Sequence, residues 1–222
     1  QVVDYVYNTT DDLNVGVDDT EEYLRAQAIY NGRLEYNDTE NDVHIDVDFG
    51  IPEENRITAT TGWAEEGATP LSDIQTAVKQ FQSQNQRRKP QVMHMTSATE
   101  ANLLQNEQIR VQVYGNDSGQ RLLTRNDLQN VFNSLGLPPY QINDDVIVLD
   151  DGEQQLLEDD KVVFIGANVG VTKVGPTVEN SYSPGKFAQP IIENNPPSQT
   201  MIVGEAAFPA LQRPNAIVIM SV

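Results

Sequence analysis

The segment most informative about the fold is Arg213-Pro214-Asn215-Ala216-Ile217-Val218-Ile219-Met220, close to the C-terminus. Pro214 and Asn215 favour a turn, and the uninterrupted apolar run Ala216–Met220 that follows is typical of a strand. Met201-Ile202-Val203 predicts another strand shortly before it. The chain therefore closes in β-structure.

Upstream of this segment, short stretches that are apolar, or that alternate between apolar and polar residues, predict further strands. They are Asp42–Phe49, Arg56–Thr61, Val92–Met95, Ile109–Tyr114, Val146–Leu149 and Lys161–Ile165. Arg56–Thr61 is expected to pair with Asp42–Phe49, and the acidic segment 150–160 to connect the last two strands. Residues 1–18 are expected to be irregular. Residues 166–200 are rich in Gly, Pro, Asn and Ser, with Asn194-Asn195-Pro196-Pro197 as the strongest break.

Two longer segments carry end signals of helices. Thr20–Tyr30 follows a potential capping residue, Asp19, and stops at Asn31-Gly32, which favours a left-handed turn. Pro70–Gln84 begins behind Thr69, a good N-cap, and its apolar residues recur at helical spacing. Both segments are therefore predicted to be helices.

Two shorter helices are predicted from their caps. Ser97 and Glu100 have the spacing of a capping box for a helix that reaches Gln105. Thr124 is expected to cap the other helix, whose apolar face is formed by Leu128, Val131, Phe132 and Leu135. Helices and strands in this order predict an α+β fold.

Composition excludes several classes of protein. The 222 residues include 14 Lys and Arg against 33 Asp and Glu, a formal net charge of −19. This charge disfavours tight, sequence-independent binding to nucleic acid, which needs clustered cations. Because the chain has no cysteine, disulfide frameworks and thiolate metal sites are excluded. No apolar run approaches the ~18 residues of a transmembrane helix, so no membrane partner is expected.

His44, Asp46 and Asp48 form the constellation that most suggests metal chemistry. Alternation along a strand places the three side chains on one face, and imidazole with carboxylates can bind Zn, Mn or Fe. They support an alternative function, a metal-dependent hydrolase. The simpler interpretation is the solvent-facing side of a strand.

Trp63 is the lone tryptophan, and it precedes an acidic, Gly-containing turn at 64–69. Its ring could stack on a ligand in an extracellular binding module, or anchor the following helix against the core; we expect the anchor. The sequence contains no nucleophile elbow and no phosphate loop. We therefore predict that the protein is not an enzyme, and we assign no catalytic, cofactor-binding or metal-binding residues. We expect the chain to act through its surfaces.

Six segments together point to a known family. They are Tyr23–Arg33, Val47–Gly50, Trp63, Thr69–Ile74, Lys89–Met95 and Glu205–Val218. Their order and spacing, with the late Arg-Pro-x-Ala apolar strand, resemble the lambda-like major capsid protein family of tailed bacteriophages, which has the HK97-like capsid fold. The resemblance extends over nearly the whole chain.

The resemblance implies a peripheral (P) domain and an axial (A) domain. Residues 20–60 would begin the peripheral domain with the end of a spine helix, 61–175 would form the axial domain, and 176–222 would return to the peripheral domain. Residues 1–19 would be a residual N-terminal segment. Because members of the family usually carry an N-terminal arm and an extended loop before the spine helix, we expect the sequence to be a fragment.

The resemblance also implies a function. The chain is expected to be a major capsid protein that self-assembles into hexamers and pentamers of an icosahedral shell around double-stranded DNA. Its partners would be copies of itself, together with scaffolding, portal and decoration proteins. The expected location is the virion capsid, assembled in the host cytoplasm.

Assembly of so acidic a chain creates repulsion between neighbouring copies. A disproportionate share of its cations is therefore predicted to lie at subunit boundaries, paired with a neighbour's acids. The cations concerned are Arg25, Arg33, Arg56, Arg87, Arg88, Arg121, Arg125, Lys173, Lys186 and Arg213.

Overall fold

The computed structural model of the chain describes residues 2–38, 43–115, 121–149, 152–195 and 197–222. Its helices are α1 (Val2–Ala26), α2 (Pro70–Gln84), α3 (Ser97–Gln105), α4 (Glu107–Tyr114) and α5 (Arg125–Ser134). A turn of π-helix, Gln27–Asn31, continues α1. The strands are β1 (Arg33–Asp38), β2 (Val43–Asp48), β3 (Arg56–Thr58), β4 (Val92–Met95), β5 (Tyr140–Ile142), β6 (Val146–Leu149), β7 (Gly152–Gln155), β8 (Lys161–Ile165), β9 (Gly170–Gly175), β10 (Phe187–Asn194), β11 (Pro197–Gly204), β12 (Ala206–Leu211) and β13 (Ile217–Ser221).

The largest sheet has five strands in the order β3-β13-β8-β4-β5. The last strand of the chain, β13, runs parallel to β3 and antiparallel to β8. On the other side of β8, β4 is antiparallel to β8 and parallel to β5. The C-terminal segment is therefore an inner strand, hydrogen-bonded on both sides.

Both faces of this sheet are covered. Val162 and Phe164 of β8 lie in a core cluster with Trp63 and residues of α2 to α5, whereas Val163 and Ile165 lie in a second cluster with Tyr30, at the end of the π-helical turn. Successive strand residues point to opposite faces. A strand buried on both faces must be apolar throughout, which explains the uninterrupted apolar runs in β8 and β13.

Several predicted elements are confirmed at or near their expected bounds. Strands occur at Val92–Met95, Val146–Leu149 and Lys161–Ile165, and α2 spans Pro70–Gln84 as predicted. The Thr124 side chain caps α5 and forms a capping box with Asp127. The expected left-handed stop after the first helix is Gly32, with φ of +68°.

The predicted irregular segment 1–18 is wrong, because α1 is continuous from Val2 to Ala26. Asp19 is therefore an interior residue of a helix and not its cap. Leu13, Val17 and Leu24 line a groove together with Val203 and Ala207 of the β11 and β12 region. This packing extends the helix past the capping signal, because tertiary contacts outweigh local preference.

The predicted strand Ile109–Tyr114 is wrong, because these residues lie in α4. The Asn106 side chain accepts a hydrogen bond from the Ile109 backbone N–H at 3.2 Å and so caps the helix. Ile109 is fully buried. The cap and the burial of Ile109 favour a helix, and they outweigh the preference for a strand that the alternating β-branched residues of the segment express.

The predicted pairing of Arg56–Thr61 with Asp42–Phe49 is also wrong. The strand is shorter, Arg56–Thr58, and pairs with β13, whereas β2 pairs with β1. Segment 166–200, rich in Gly, Pro, Asn and Ser, contains β9, β10 and the start of β11. The predicted break falls where β10 ends at Asn194 and β11 begins at Pro197, and Pro196 lies outside the described residues. Part of the acidic connection 150–160 forms β7, which pairs with β6.

One capping residue differs by a single position. Thr96, not Ser97, caps α3, and its side chain accepts a hydrogen bond from the Thr99 backbone N–H. Glu100 consequently takes no part in a capping box. Its side chain is buried and has other partners, described below.

Candidate assembly surfaces

The folded chain exposes 13612 Å² of surface. A compact monomer of this mass would expose roughly 10,000 Å². Among the described residues four antiparallel strand pairs are hydrogen-bonded only to each other, namely β1–β2, β6–β7, β9–β12 and β10–β11. Three of them, the ribbons β1–β2, β6–β7 and β10–β11, are considered below. An isolated two-stranded ribbon is marginally stable in water at best. The buried residues Leu34 of β1 and Ile147 of β6 attach two of these ribbons to the rest of the chain. The outer parts of the ribbons are surfaces on which another molecule can pack.

The longest of the three is the ribbon β10–β11, in which Phe187 pairs with Gly204 at the base and Asn194 with Pro197 at the tip. Its base rests on α1, where Leu13 and Val17 share a groove with Val203, and Lys186 is paired with Asp18. The outer part of the ribbon is exposed, including Ile191, Ile192 and Ile202. A firmly attached base thus supports an open, apolar tip.

The same ribbon is almost free of charge. Residues 187–204 contain one ionisable side chain, Glu193, in a chain of which 21% is charged. Glu193 itself accepts a hydrogen bond from the Ser198 hydroxyl at 3.2 Å. Sequence analysis missed this surface because it followed secondary-structure periods; the gap in charge along the sequence is the signal that could have found it.

The β1–β2 ribbon, by contrast, is charged. The Arg33 guanidinium donates two hydrogen bonds to the Asp46 carboxylate, at 2.9 and 2.7 Å. These bonds hold the pKa of Asp46 below its ordinary value. The pair is solvent-exposed, so water and salt screen it and it adds little to stability.

The structure places His44, Asp46 and Asp48 on one exposed face, as the alternation predicts. Asp46 is held by Arg33, and Asp48 accepts a hydrogen bond from the Gly50 backbone N–H at 2.8 Å. No group of three or more histidine, aspartate or glutamate side chains placed to hold a metal ion occurs among the described residues. The hydrolase alternative therefore has no supporting geometry there.

Trp63 is the anchor that the sequence favours. Its side chain is 2% exposed, and its indole N–H donates a hydrogen bond at 3.1 Å to Asp73 in the first turn of α2. The ring fixes the start of α2 against the core. The alternative of an accessible stacking platform is wrong, because a buried ring cannot meet a ligand.

A buried polar contact joins the end of the first helix to the central sheet. The Tyr30 hydroxyl and His94 Nδ1 share a hydrogen bond of 2.8 Å, and Asn143 donates to the same hydroxyl at 3.2 Å. Burial lowers the pKa of His94 and raises the pKa of Tyr30. Both groups are thus neutral near pH 7, which suits a structural contact.

Glu100 joins α3 to α5 and β5. Its carboxylate, on a side chain only 3% exposed, accepts hydrogen bonds from the Tyr140 hydroxyl at 2.8 Å and from Arg125 Nε at 2.9 Å. Three elements that are distant in sequence therefore meet at one acid. Nothing in the local sequence around Glu100 announces this role.

The cations expected at subunit boundaries divide into two groups. Arg25, Arg33, Arg125 and Lys186 already pair with acids of the same chain, and Arg56 and Arg213 donate to backbone carbonyls. The other four are exposed; these are Arg87, Arg88, Arg121 and Lys173. Their pairing with a neighbouring copy stays a prediction.

In the described part of the chain, no helix has the length and apolar character needed to cross a membrane. The polar side chains that contact each other in the interior, Tyr30 with His94 and Glu100 with Arg125, connect structural elements. The arrangement as a whole offers extended, exposed surfaces for contact with other molecules.

Comparison with known proteins agrees with that description. Residues 1–222 match the family described as phage major capsid protein E. The structure matches a prophage protein of E. coli CFT073 described as a capsid protein, with a TM-score of 0.72 and 18% identity over 97% of this chain and 66% of that one. It also matches a phage-related protein from Bordetella bronchiseptica RB50, with a TM-score of 0.62 and 12% identity over 99% of this chain and 67% of that one. No curated protein sequence matches the chain.

The chain thus spans about two thirds of the length of both solved structures. At these identities the structural matches establish a shared fold, and they confirm the mixed α+β class predicted from the sequence. The family match confirms the resemblance to phage major capsid proteins that the sequence motifs indicate. Because that match covers its whole length, the chain belongs to the phage major capsid protein E family.

Proposed function

We propose that this chain is a structural subunit that self-assembles into hexamers and pentamers of an icosahedral phage head enclosing double-stranded DNA. The observation that carries the proposal is the exposed surface of 13612 Å², about 3,500 Å² beyond that of a compact monomer. A standard protein interface buries roughly 800 Å² on each partner. The excess is enough for about four such contacts, as a subunit surrounded by neighbours requires.

The charge of the chain is consistent with enclosing DNA without binding it. A net charge of −19 repels phosphates, so packaged DNA would not adhere to the inner surface. Copies of the chain are the main proposed partners, and scaffolding, portal and decoration proteins are further ones. The proposed location is the virion capsid, assembled in the host cytoplasm.

The division into domains is part of the proposal. Residues 20–60 and 176–222 would form the peripheral domain, and 61–175 the axial domain. The five-stranded sheet places β3 and β13 beside β8, β4 and β5, so these boundaries divide the strands of one sheet between the two domains. The domains would therefore be joined along the sheet and not through a flexible linker.

The test is the oligomeric state of the purified chain. Sedimentation velocity over a hundredfold range of concentration, with negative-stain electron microscopy of the same samples, should show rings of five or six subunits or closed shells. A single species with the mass of one chain at every concentration would refute the proposal. A metal-dependent hydrolase or a monomeric binding module would give that second result.

A further inference from the structure

We propose that the outer part of the β10–β11 ribbon is an assembly contact that a second copy of this chain covers. This inference rests on the proposed function, and it names the surface and the partner. The surface, called the ribbon tip below, consists of residues 188–195 and 198–200, all exposed.

The register of the ribbon sorts its side chains onto two faces. Residues directly opposite each other in an antiparallel pair point to the same face, and successive residues point to opposite faces. Ala188 lies opposite Val203, and Pro190 opposite Met201. These four residues, followed by Ile192, therefore form an apolar stripe that begins at the base of the ribbon and ends at Ile192, which lies opposite Gln199.

The stripe is covered only in part, on its β11 side. Val203 lies in the groove that α1 lines, and Met201 is half-buried, whereas Ala188 and Pro190 are exposed and Ile192 is 68% exposed. Single exposed apolar residues are normal on a protein surface. An apolar stripe that is half-buried along one strand and uncovered along the other indicates a contact completed by another molecule.

The charge of the chain indicates which molecule this is. Two copies, each with a net charge of −19, repel one another wherever acidic surfaces meet. The ribbon offers one ionisable group, Glu193, in 18 residues. It is thus a part of the surface where another acidic copy can approach closely, whereas a nucleic acid would find no cation on it.

The prolines of the ribbon decide how the contact is made. A free strand edge can pair with a strand from another molecule, but proline lacks the N–H that such pairing needs. Pro190 lies in β10 and Pro197 begins β11. Pro190 therefore disfavours strand pairing along the edge of β10, and we infer that the side chains of the apolar stripe make the contact.

The absence of cysteine from the sequence allows a direct test with single-cysteine variants. Ile192→Cys places a thiol on the stripe, and Val178→Cys is a matched control, since Val178 is also an aliphatic β-branched residue and is 67% exposed. Each variant is reacted with a maleimide fluorophore, once dissociated and once assembled. Assembly should slow labelling of Ile192→Cys at least tenfold, while the two thiols react at similar rates in the dissociated chain.

The outcomes separate this inference from the proposed function. If shells or rings form and Ile192→Cys keeps its labelling rate, the ribbon tip is not a contact and the inference is overturned, although the proposed function stands. If the chain never assembles, both fail.

Substitution gives an independent readout. Ile192→Asp should raise the concentration required for half-assembly at least tenfold relative to Val178→Asp, with unchanged circular dichroism in both. Equal assembly by the two variants would overturn the inference.

Discussion

The buried acid Glu100 provides the sharpest test of the energetics of this fold. It has two partners, the Tyr140 hydroxyl and the Arg125 guanidinium. The Glu100 side chain is 3% exposed, whereas that of Arg125 is 66% exposed. The structure therefore predicts that the Tyr140 contact is the stronger of the two, although Arg125 approaches the Glu100 carboxylate as closely as 2.6 Å.

The magnitude follows from solvation. A hydrogen bond to a charged group contributes about 1.5–3 kcal/mol to stability, and the Tyr140 contact is part-buried. We therefore expect a coupling free energy of about 2 kcal/mol between Glu100→Ala and Tyr140→Phe. The Arg125 contact faces water, which screens the attraction and can replace Glu100 as a partner. Its coupling should be clearly the smaller of the two.

The assay is a pair of double-mutant cycles. Glu100→Ala, Tyr140→Phe, Arg125→Ala and the two double variants are unfolded in urea under conditions in which the chain is dissociated, and circular dichroism follows the transition. A larger coupling for Arg125 than for Tyr140 would refute the argument from exposure. A coupling near zero for both would show that Glu100 does not join α3 to α5 and β5.

Further predictions concern the stability of the chain at His94, Gly166 and Gly16. Burial lowers the pKa of His94 in the folded chain. As the pH falls, the unfolded chain therefore binds a proton at this histidine first, near pH 6.5, and the free energy of unfolding should decrease below that pH. Urea midpoints at pH 7.5 and 5.5 should show this loss, and the loss should be smaller in His94→Gln. Gly166→Ala would place a Cβ 2.9 Å from Phe81 Cζ, and this overpacking should destabilise the chain by about 1–3 kcal/mol. Gly16 lies in α1, and a Cβ added there would have no atom within 4 Å. Gly16→Ala should therefore stabilise the chain by up to about 1 kcal/mol. Thermal melts in which both substitutions act in the same direction would contradict the packing argument.

The elements predicted correctly are those in which local pattern and burial agree. The runs in β8 and β13 are apolar throughout because both faces of the sheet are covered. Helix α2 begins at Pro70 and carries its buried residues on one stripe, so its end signal and its period point to the same structure. In these segments the local pattern of residues matches the environment that the tertiary structure provides.

The candidate contact surface could be predicted only in part. The sequence contains the charge-free segment 187–204 and the alternation of Ala188, Pro190 and Ile192. It does not reveal that α1 covers Val203 and leaves the ribbon tip open, because that depends on how a helix near the N-terminus packs against a strand near the C-terminus.

By itself, the sequence determined the mixed α and β class, the inner strands and the extent of α2, since these follow from residue order and short-range periodicity, and its ordered motifs carried the resemblance to the family. The predicted caps were less reliable, because the Thr69 side chain makes no capping hydrogen bond and Thr96, not Ser97, caps α3. Only the tertiary structure decided that α1 continues past Asp19, that Ile109–Tyr114 is helical, and that Glu100 meets Tyr140 and Arg125. These outcomes depend on contacts between residues far apart along the chain, whose energies exceed the weak local preferences of single residues. The same long-range packing decides which surfaces remain uncovered, and in a protein that we propose to work by assembly those surfaces carry the function.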